Sequence, residues 1–349
     1  MEGEMKDRLK PPDPIESEKF RMPNVKVPRD GGTTKSLFQL PLPDDCLADA
    51  LPADAREAVL KRTPNERAEF VLNVELDTQA FVQATQSIEA LMQRTGVVSQ
   101  PGGLCITGDG GAGKTFIFDA ISTRHPRAAT LLTEFCPVAR VRLGSMPTAD
   151  DFVQGLLEFL GHALKASAAK SEKRTQILCD ALRECGTRVI LVDEAHHMIP
   201  ASGSRRNRDR LAGGLGDYAK EFYDESHIPI VWAGKPGLGD LFADDGQLNS
   251  RWPGKVSLPG YPPGNEWLRL LRALDQALPM EKPCQLDSPP VAAFLHSVTL
   301  GNLRRLKLLL SECVKVAAEV KGVSLTEDHF REASRRLSMS PLSGEKPDG

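Results

Sequence analysis

The sequence has no long hydrophobic run, and no window approaches the roughly eighteen consecutive apolar residues that a membrane-spanning helix needs. Its first residues, Met-Glu-Gly-Glu-Met-Lys-Asp, are charged and lack the apolar centre of a secretory signal peptide. These absences argue against a membrane protein and against a secreted one. We therefore expect a cytoplasmic protein that does not contact a membrane.

Cysteine pairs with the spacing of metal or redox sites are also missing. The seven cysteines are scattered along the chain, and no Cys-x-x-Cys pair occurs among them. An odd and scattered set argues against a disulfide framework and against a zinc site. Such a set is typical of reduced thiols in a cytosol.

The chain has no large excess of charge of either sign. Its formal net charge is −3 at pH 7, so any contact with nucleic acid must come from a local basic patch. The hydrophobic and charged fractions, 40% and 26%, are those of an ordinary globular protein. A length of 349 residues predicts two or three domains, and no internal repeat is visible.

What the sequence does contain is a glycine-rich turn between a short apolar run and a helical pattern. Residues 104–115 read Leu-Cys-Ile-Thr-Gly-Asp-Gly-Gly-Ala-Gly-Lys-Thr, which matches the phosphate-loop pattern Gly-x4-Gly-Lys-Thr. Its backbone N–H groups would form an anion nest at a helix N-terminus. We predict that a nucleoside triphosphate is bound by Gly108, Asp109, Gly110, Gly111, Ala112, Gly113, Lys114, Thr115 and Phe116, and the resemblance described below implies that it is ATP.

Two of these residues have individual predicted roles. Lys114 would reach the β- and γ-phosphates and act in catalysis, and the Thr115 hydroxyl would bind Mg²⁺. The alternative is a glycine-rich turn with a chance lysine. The apolar strand before the turn and the helix after it disfavour that alternative.

An acidic pair follows a wholly apolar strand about eighty residues further on. Residues 189–192 read Val-Ile-Leu-Val and lead into Asp193 and Glu194. A strand that is apolar on both faces fits the middle of a parallel sheet. We predict that Asp193 holds Mg²⁺ and that Glu194 orients and polarises the attacking water. Together with the phosphate loop, the pair indicates hydrolysis rather than binding alone.

The acidic pair continues into Ala195, His196 and His197, so the run Asp-Glu-Ala-His has the spelling of one helicase class. Those helicases need a second sheet domain, which the mostly helical remainder of the chain does not supply. A zinc role for the two histidines is disfavoured because adjacent side chains usually point apart and no matching Cys or His set is visible.

The order of predicted elements divides the chain into four parts. Residues 1–50 are rich in proline and predict an extended or disordered arm, with a partner-docking segment as the alternative. Residues 51–263 alternate helices and strands, which predicts an α/β domain with a parallel, helix-covered sheet. Residues 264–337 predict a small all-α domain, and residues 338–349 a flexible tail. The helix starting after Thr148 is expected to run to Leu164.

Two arginines are candidates for stabilising charge on the γ-phosphate. Arg251 follows a loop at the rim of the predicted sheet domain, and packing on Trp252 is the alternative explanation for it. Arg304 opens a helix of the C-terminal domain, from which it would reach back over the nucleotide. Its alternative is a solvated arginine beside Arg305.

These motifs together resemble an AAA+ ATPase, and finer features resemble the TniB and TnsC ATPases that regulate transposition, with the Mu phage B protein more distant. The resemblance covers about residues 55–337. It implies a P-loop AAA+ α/β domain followed by a small helical lid, in a bacterial protein. The matching stretches are residues 108–115, 189–196, 230–234, 250–252, 301–306 and 322–326.

The resemblance implies roles for both arginines. Arg251 would be the arginine finger acting across a subunit interface, and Arg304 the sensor-two arginine that contacts bound nucleotide. Trp252 stands where phenylalanine is expected, a mild departure. Lys235 stands where a small polar sensor-one residue is usual, so no sensor-one residue is assigned.

Family properties complete the hypothesis. Such proteins bind duplex DNA non-specifically with ATP, assemble on it as rings or helical filaments, recruit a DDE-type transposase and respond to target-selection proteins. The resemblance therefore implies an ATP-dependent regulator of transposition whose hydrolysis drives release from DNA. The alternative is an AAA+ remodelling motor or helicase loader; a small-molecule kinase is disfavoured because no acceptor site is evident.

Candidate DNA contacts lie in two segments. One is the basic stretch that contains Arg205, Arg206, Arg208 and Arg210, and arginine-rich loops neutralise phosphates without reading bases. A solvated or subunit-facing loop is the alternative. The second is the turn that contains Ser145 and Thr148, because AAA+ loops at this position often face a central pore.

Overall fold

The computed structural model describes residues 25–26, 53–74, 76–129, 134–162, 171–199 and 213–339. The predicted N-terminal arm, except for residues 25–26, lies outside these residues. So do the four arginines at 205–210 and the tail from residue 340 onward.

Five parallel strands form the central sheet. Within the described residues the strands are β1 (Val25–Lys26), β2 (Leu76–Asp77), β3 (Leu104–Gly108), β4 (Ala128–Ala129), β5 (Glu134–Phe135), β6 (Val138–Arg142), β7 (Val189–Asp193), β8 (Ile230–Gly234) and β9 (Gly254–Leu258). The sheet has the order β6-β7-β8-β3-β9. β1 and β2 form a separate parallel pair, and β4 and β5 an antiparallel one.

Helices cover this sheet and form most of the rest of the described chain. They are α1 (Ala53–Leu60), α2 (Pro64–Leu72), α3 (Gln79–Arg94), α4 (Lys114–Arg124), α5 (Ala149–Phe159), α6 (Ser171–Glu184), α7 (Gly213–Ser226), α8 (Gly237–Asp244), α9 (Gly246–Arg251), α10 (Asn265–Ala277), α11 (Pro289–Thr299), α12 (Leu303–Glu319) and α13 (Glu327–Arg336). A 3₁₀ turn spans Ala195–Met198.

Successive side chains of a strand point to opposite faces of the sheet, so the sheet has a hydrophobic core on each face. In β7, Ile190 and Val192 pack on one face with helices α5 to α9, whereas Val189 and Leu191 pack on the other with α3 and α4. All five residues of β7 are buried, as its apolar sequence predicts. The predicted helix-covered parallel sheet is therefore confirmed.

A third core lies in the C-terminal helices. Side chains of α10 to α13 pack together there, and residues of α1 and α2, including Phe70 and Val71, join the same cluster. Arg67 in α2 also donates from Nη2 to the Pro279 carbonyl at 2.6 Å. The boundary predicted at residue 263 stays a prediction, but α1 and α2 share the core of the later helices rather than that of the sheet.

Polar side chains fix the starts of several helices. Thr63 and Thr148 each form a reciprocal capping box, with Glu66 and Asp151. The prediction that the helix after Thr148 runs to Leu164 is wrong, because α5 ends at Phe159. Gly161 follows in the left-handed conformation, with φ of +81°, which terminates the helix.

Candidate nucleotide-binding site

The glycine loop connects the carboxyl end of β3 to the first turn of α4. Gly111 and Gly113 have φ of +86° and +104°, a region that side chains other than glycine's rarely occupy. The Ala112 N–H donates to the Asp109 carbonyl at 3.1 Å and closes the turn. The sequence thus provides glycine at the two positions where this loop turns left-handed.

Lys114 lies inside the loop with only 8% of its surface exposed. Its Nζ donates to the Gly108 carbonyl at 2.6 Å and to the Asp109 carbonyl at 2.9 Å. Burial lowers the pKa of the Lys114 ammonium, and the nearby carboxylates of Glu194 and Asp193 oppose that shift. The loop therefore holds its cation by its own backbone.

The structure brings the two predicted Mg²⁺ ligands together across two elements. The Thr115 hydroxyl at the start of α4 donates to Asp193 Oδ2 at 2.8 Å. The other oxygen, Oδ1, accepts the Glu194 N–H at 2.8 Å. Parallel strands β3 and β7 both end at this edge, so their following residues meet there. Two hard oxygen donors side by side are the kind of ligands that Mg²⁺ takes.

Glu194 follows Asp193 in a left-handed backbone conformation, with φ of 56° and ψ of 31°. For a residue with a side chain this conformation costs about 1–3 kcal/mol, and such strain is common at functional sites. One carboxylate oxygen, Oε1, lies 3.6 Å from Arg142 Nη2, and Oε2 lies 3.2 Å from His196 Nδ1. Arg142 ends β6 and was not identified from the sequence.

The two histidines after Glu194 do not point apart. Their rings stack, with centroids 4.3 Å apart, and one ligand atom from each lies within 4.8 Å of the other and of a Glu194 oxygen. The expectation that the two side chains point apart is therefore wrong, and a carboxylate rather than a further His or Cys completes the group of potential ligands. Burial first, and the neighbouring His197 second, lower the pKa of His196, which favours a neutral ring.

The first turn of α12 contacts the glycine loop directly. The Arg304 N–H donates to the Gly111 carbonyl at 3.2 Å, and Asn302 Nδ2 donates to the Gly110 carbonyl at 2.6 Å. Asn302 Oδ1 also caps α12 by accepting the Arg305 N–H at 3.1 Å. This contact comes from the Arg304 backbone, so the role predicted for its side chain toward nucleotide stays a prediction, and the contact of Asn302 was missed.

A cavity of about 450 Å³ lies between the glycine loop, residues 72–83 and the C-terminal helices. Its lining includes Gly113, Thr115 and Arg304 together with the apolar residues Leu76 and Phe81. The apolar lining residues belong to no motif, so sequence reasoning did not find them. Such a cavity has a volume typical of small-ligand sites.

Lys307 joins three parts of this cavity wall. It lies one turn after Arg304 on α12, and its Nζ donates to the Val74 carbonyl at 2.5 Å. The same ammonium lies 4.4 Å from the centre of the Phe116 ring. Phe116, predicted to bind nucleotide, therefore lines the cavity from the α4 side. The i, i+3 spacing from Arg304 is the one signal that would have indicated Lys307.

Arg251 lies away from these residues. It ends α9, just before β9, and β9 begins opposite Leu104 and ends opposite Gly108. The glycine loop follows Gly108, so about 13 Å of strand separates it from the Arg251 end of β9. The structure therefore does not bring Arg251 to the glycine loop of its own chain.

The Arg251 guanidinium pairs with Asp224 on α7. Its Nη2 lies 2.5 Å from Asp224 Oδ2 and its Nε 3.1 Å from Oδ1. This pairing is the first cause of a raised pKa for Arg251 and a lowered pKa for Asp224. Trp252 is wholly buried and packs edge-on against Trp232 with centroids 5.7 Å apart. Asp224 was not identified from the sequence.

The turn that is predicted to contact DNA follows β6, so it lies at the carboxyl end of the parallel sheet, as the glycine loop does. Ser145 is exposed there, and Met146 has 89% of its surface exposed. Thr148 uses its hydroxyl to accept the Asp151 N–H at 3.2 Å, as the cap of α5. DNA contact by this turn stays a prediction.

A family model for the bacterial TniB protein matches residues 74–261, more than half of the chain. The chain belongs to the TniB family. No curated protein sequence matches it. The matched region contains the glycine loop, the acidic pair and Arg251, while Arg304 and the helices after residue 264 lie beyond it.

Solved structures show that this TniB protein has the AAA+ fold. The Aeropyrum pernix ORC2 protein in its ADPNP–ADP complexes is similar with a TM-score of 0.52 and 17% identity, over 73% of this chain and 67% of that one. The Aeropyrum pernix ORC1 protein in complex with DNA has a TM-score of 0.50 and 15% identity, over 74% and 64%. In the part of the chain that the structure describes, no helix is long and apolar enough to span a membrane.

Proposed function

We propose that this TniB protein hydrolyses ATP and that its nucleotide state controls non-specific binding to duplex DNA during transposition. The observation that carries the proposal is the pairing of Thr115 with Asp193 at 2.8 Å beside a left-handed glycine loop. This is the arrangement in which a phosphate nest and a Mg²⁺ site share one sheet edge.

The residues present fit ATP and Mg²⁺. Gly111 and Gly113 turn the loop so that backbone N–H groups can cradle phosphates, and a Cβ at Gly111 would lie 2.7 Å from Asn302 Oδ1. Thr115 and Asp193 would hold Mg²⁺, which supplies positive charge to the β- and γ-phosphate oxygens when bound. The cavity end near Phe81 offers an apolar surface for the base.

Each charged residue has a separate task in this proposal. Lys114 would leave the Gly108 and Asp109 carbonyls to contact the β- and γ-phosphates. Glu194 would orient the attacking water and accept its proton, because its carboxylate is 30% exposed beside Asp193. Arg304 would contact the γ-phosphate from the helical lid and report its loss on hydrolysis.

Arg251 would complete the site of a neighbouring subunit. It lies at the amino end of the sheet, whereas the glycine loop of its own chain lies at the carboxyl end. Its side chain is 27% exposed. An arginine in that place can act as a finger only in trans, so the proposed mechanism requires a homo-oligomer, as a ring or a helical filament. Assembly would also multiply a few DNA contacts per subunit along the duplex.

The proposed DNA and protein partners come mainly from the resemblance to the transposition regulators, and one solved structure with a similar fold supports the DNA partner. The similar ORC1 protein was solved in complex with DNA, which supports a DNA-binding role here. The proposed contacts are Ser145 and Thr148 and the arginines 205, 206, 208 and 210. A DDE-type transposase would be recruited to the assembled state, and a target-selection protein would choose where it forms.

One experiment tests the core of the proposal. DNA co-sedimentation and ATPase rates are measured with and without duplex DNA, in ATP, a slowly hydrolysed analogue and ADP. We expect sequence-independent DNA binding with ATP or the analogue and much less with ADP. Equal binding in all three states would reject the regulator, and strand separation or translocation coupled to hydrolysis would indicate a motor instead.

The variant Glu194→Gln separates binding from hydrolysis. The amide keeps the shape of the side chain but loses the basic carboxylate, so ATP should still bind while its hydrolysis falls. We expect a DNA complex that persists in ATP for much longer than the wild-type complex. Rapid release of DNA by this variant would contradict the role given to Glu194.

A further inference from the structure

Three metal-binding side chains converge just beyond the Thr115–Asp193 pair. Glu194, His196 and His197 each place one potential ligand atom within 4.8 Å of the other two. No other group of three His, Cys, Asp or Glu side chains with this geometry occurs among the described residues. The cluster therefore differs from ordinary surface charge.

Short-range contacts hold the cluster in place. The His197 N–H donates to the Glu194 carbonyl at 3.0 Å, and the Ile199 N–H to the His196 carbonyl at 3.2 Å. These bonds form the 3₁₀ turn that carries both rings. Ala195 and Met198 in the same turn are buried, which anchors it against the sheet. The backbone that carries the three potential ligands is thus held by hydrogen bonds and by core packing.

One of the potential ligand atoms makes no hydrogen bond in the described part of the chain. The buried Nδ1 of His196 has no hydrogen-bond partner there, although it lies 3.2 Å from Glu194 Oε2. A buried ring nitrogen without a partner is costly, and a ligand would satisfy it. Arg142 approaches the opposite carboxylate oxygen, Oε1, so the Oε2 side that faces the histidines is free of that cation.

The ligand types select the class of metal. Imidazole nitrogens suit Zn²⁺, Cu²⁺ and Ni²⁺, whereas Mg²⁺ prefers oxygen ligands such as Thr115 and Asp193. We propose that Glu194, His196 and His197 form a second cation site, which binds one transition metal ion such as Zn²⁺ through three protein ligands. In a tetrahedral site with bonds of about 2.1 Å, ligand atoms lie about 3.4 Å apart, so small side-chain rotations close the cluster.

Occupancy of this site would stop hydrolysis without preventing nucleotide binding. A metal ion on Glu194 takes up the carboxylate that the proposed function assigns to the attacking water. This regulatory consequence rests on the proposed function, whereas metal binding itself does not. The ion would act as an inhibitor that locks the ATP-bound state.

Metal binding is tested first on the full chain without nucleotide or Mg²⁺. Co²⁺ is titrated while its visible d–d absorption is followed, and Zn²⁺ is then added as a competitor. We expect one Co²⁺ per chain, displaced by Zn²⁺, without the thiolate-to-metal absorption that cysteine ligands give. A Co²⁺ spectrum dominated by thiolate bands would overturn the site.

Matched histidine variants locate the ion. His197→Asn and His196→Asn should each weaken Co²⁺ binding at least about tenfold, since each removes a direct ligand. His227→Asn, an exposed histidine at the end of α7, should bind as the wild type does. Thermal unfolding confirms that each variant is folded, and His197→Gln provides a second test if His197→Asn is not. Unchanged binding by folded His196 and His197 variants would refute the proposal.

The regulatory part has its own readout. In excess Mg²⁺ and ATP, Zn²⁺ should inhibit hydrolysis while labelled ATP stays bound, and His197→Asn should need at least about tenfold more Zn²⁺ for half-inhibition of its own rate. Equal sensitivity of the two proteins would disprove the inhibition. If the wild type does not hydrolyse ATP, the proposed function fails, and the Co²⁺ titration still decides whether the site exists.

Discussion

The two ends of the parallel sheet carry different kinds of polar contact. At the carboxyl end, Lys114 and Asp193 are more than nine-tenths buried and bond to groups on other elements. At the amino end, Arg251 and Asp224 are paired but partly exposed, at 27% and 45%, above a base of packed aromatic rings. In the proposed function, the carboxyl end binds nucleotide within the chain, and the amino end acts on a neighbouring subunit.

In the proposed mechanism, this difference explains why one chain would not hold a complete site. The carboxyl end supplies the phosphate nest, the cation ligands and the water-orienting carboxylate of the proposed mechanism. Arg251, which is partly exposed and would exchange Asp224 for the nucleotide of a neighbouring subunit, lies at the amino end. The following experiments test that division, from the largest expected effect to the smallest.

Loss of the lysine at the carboxyl end should have the largest effect. Lys114→Ala removes the positive charge of the glycine loop that would contact the phosphates, so nucleotide binding should be lost and hydrolysis should fall by more than about 10³-fold. Nucleotide-dependent DNA binding should be lost with it. The control is Lys255→Ala, an exposed lysine on β9. ATPase assays that find similar rates in both variants would contradict the assignment.

Loss of the arginine at the amino end should impair hydrolysis while sparing nucleotide binding. For Arg251→Ala we expect a fall of about 10³-fold in the ATPase rate of the assembled protein, the size typical of an arginine finger. Arg188→Ala, an exposed arginine before β7, is the control. Mixing Arg251→Ala with Lys114→Ala subunits should restore part of the activity, because one interface then has both intact halves. No recovery in mixed oligomers would weigh against action in trans.

Substitutions at two glycines compare how tightly the two ends of the sheet are packed. A Cβ on Gly103 would lie 2.0 Å from Trp252 Cδ1 and 2.7 Å from the Ile230 carbonyl, whereas a Cβ on Gly110 meets nothing within 4 Å. Gly103→Ala should therefore lower the free energy of unfolding by about 2 kcal/mol or more, through overpacking. Gly110→Ala should change it by less than about 0.5 kcal/mol. Denaturant unfolding of the two variants checks the contrast, and equal stability would contradict it.

The smallest effect concerns the Asp224–Arg251 pair. Asp224→Asn should cost less than about 1 kcal/mol at pH 7, because the pair is partly exposed. Arg251 lowers the pKa of folded Asp224 below its ordinary value of 3.8, so the stabilisation is present above pH 3.8 and is lost as the pH falls through the folded pKa. Unfolding of wild type and variant from pH 7 to pH 2 should show the difference shrinking. A constant difference would mean that the carboxylate charge is not its source.

Much of the carboxyl end could be predicted from sequence because its chemistry is local. The spacing of glycines around Lys114 determines a nest, and an apolar strand ending in Asp193 must emerge beside it in a parallel sheet. The structure places Thr115 and Asp193 in contact as these patterns indicate. The order of elements likewise put Arg251 before the last strand, at the sheet rim.

What could not be predicted depends on packing between distant segments. The sequence shows that Phe70 and Val71 are apolar but not that they pack with the C-terminal helices. The partner of Arg251, Asp224, lies 27 residues earlier and belongs to no motif. The His196 and His197 rings face each other through side-chain rotation, which sequence spacing does not determine.

The contact between Asn302 and the glycine loop has a consequence for how this chain can change. The Asn302 side chain occupies the space that any side chain at position 111 would need, since a Cβ there would lie 2.7 Å from its Oδ1. A mutation at Gly111 therefore damages the lid contact as well as the nest. Genetic suppressors of such a mutation should replace Asn302 with a residue that has a shorter side chain. The two positions should therefore change together, although they lie 191 residues apart in the sequence.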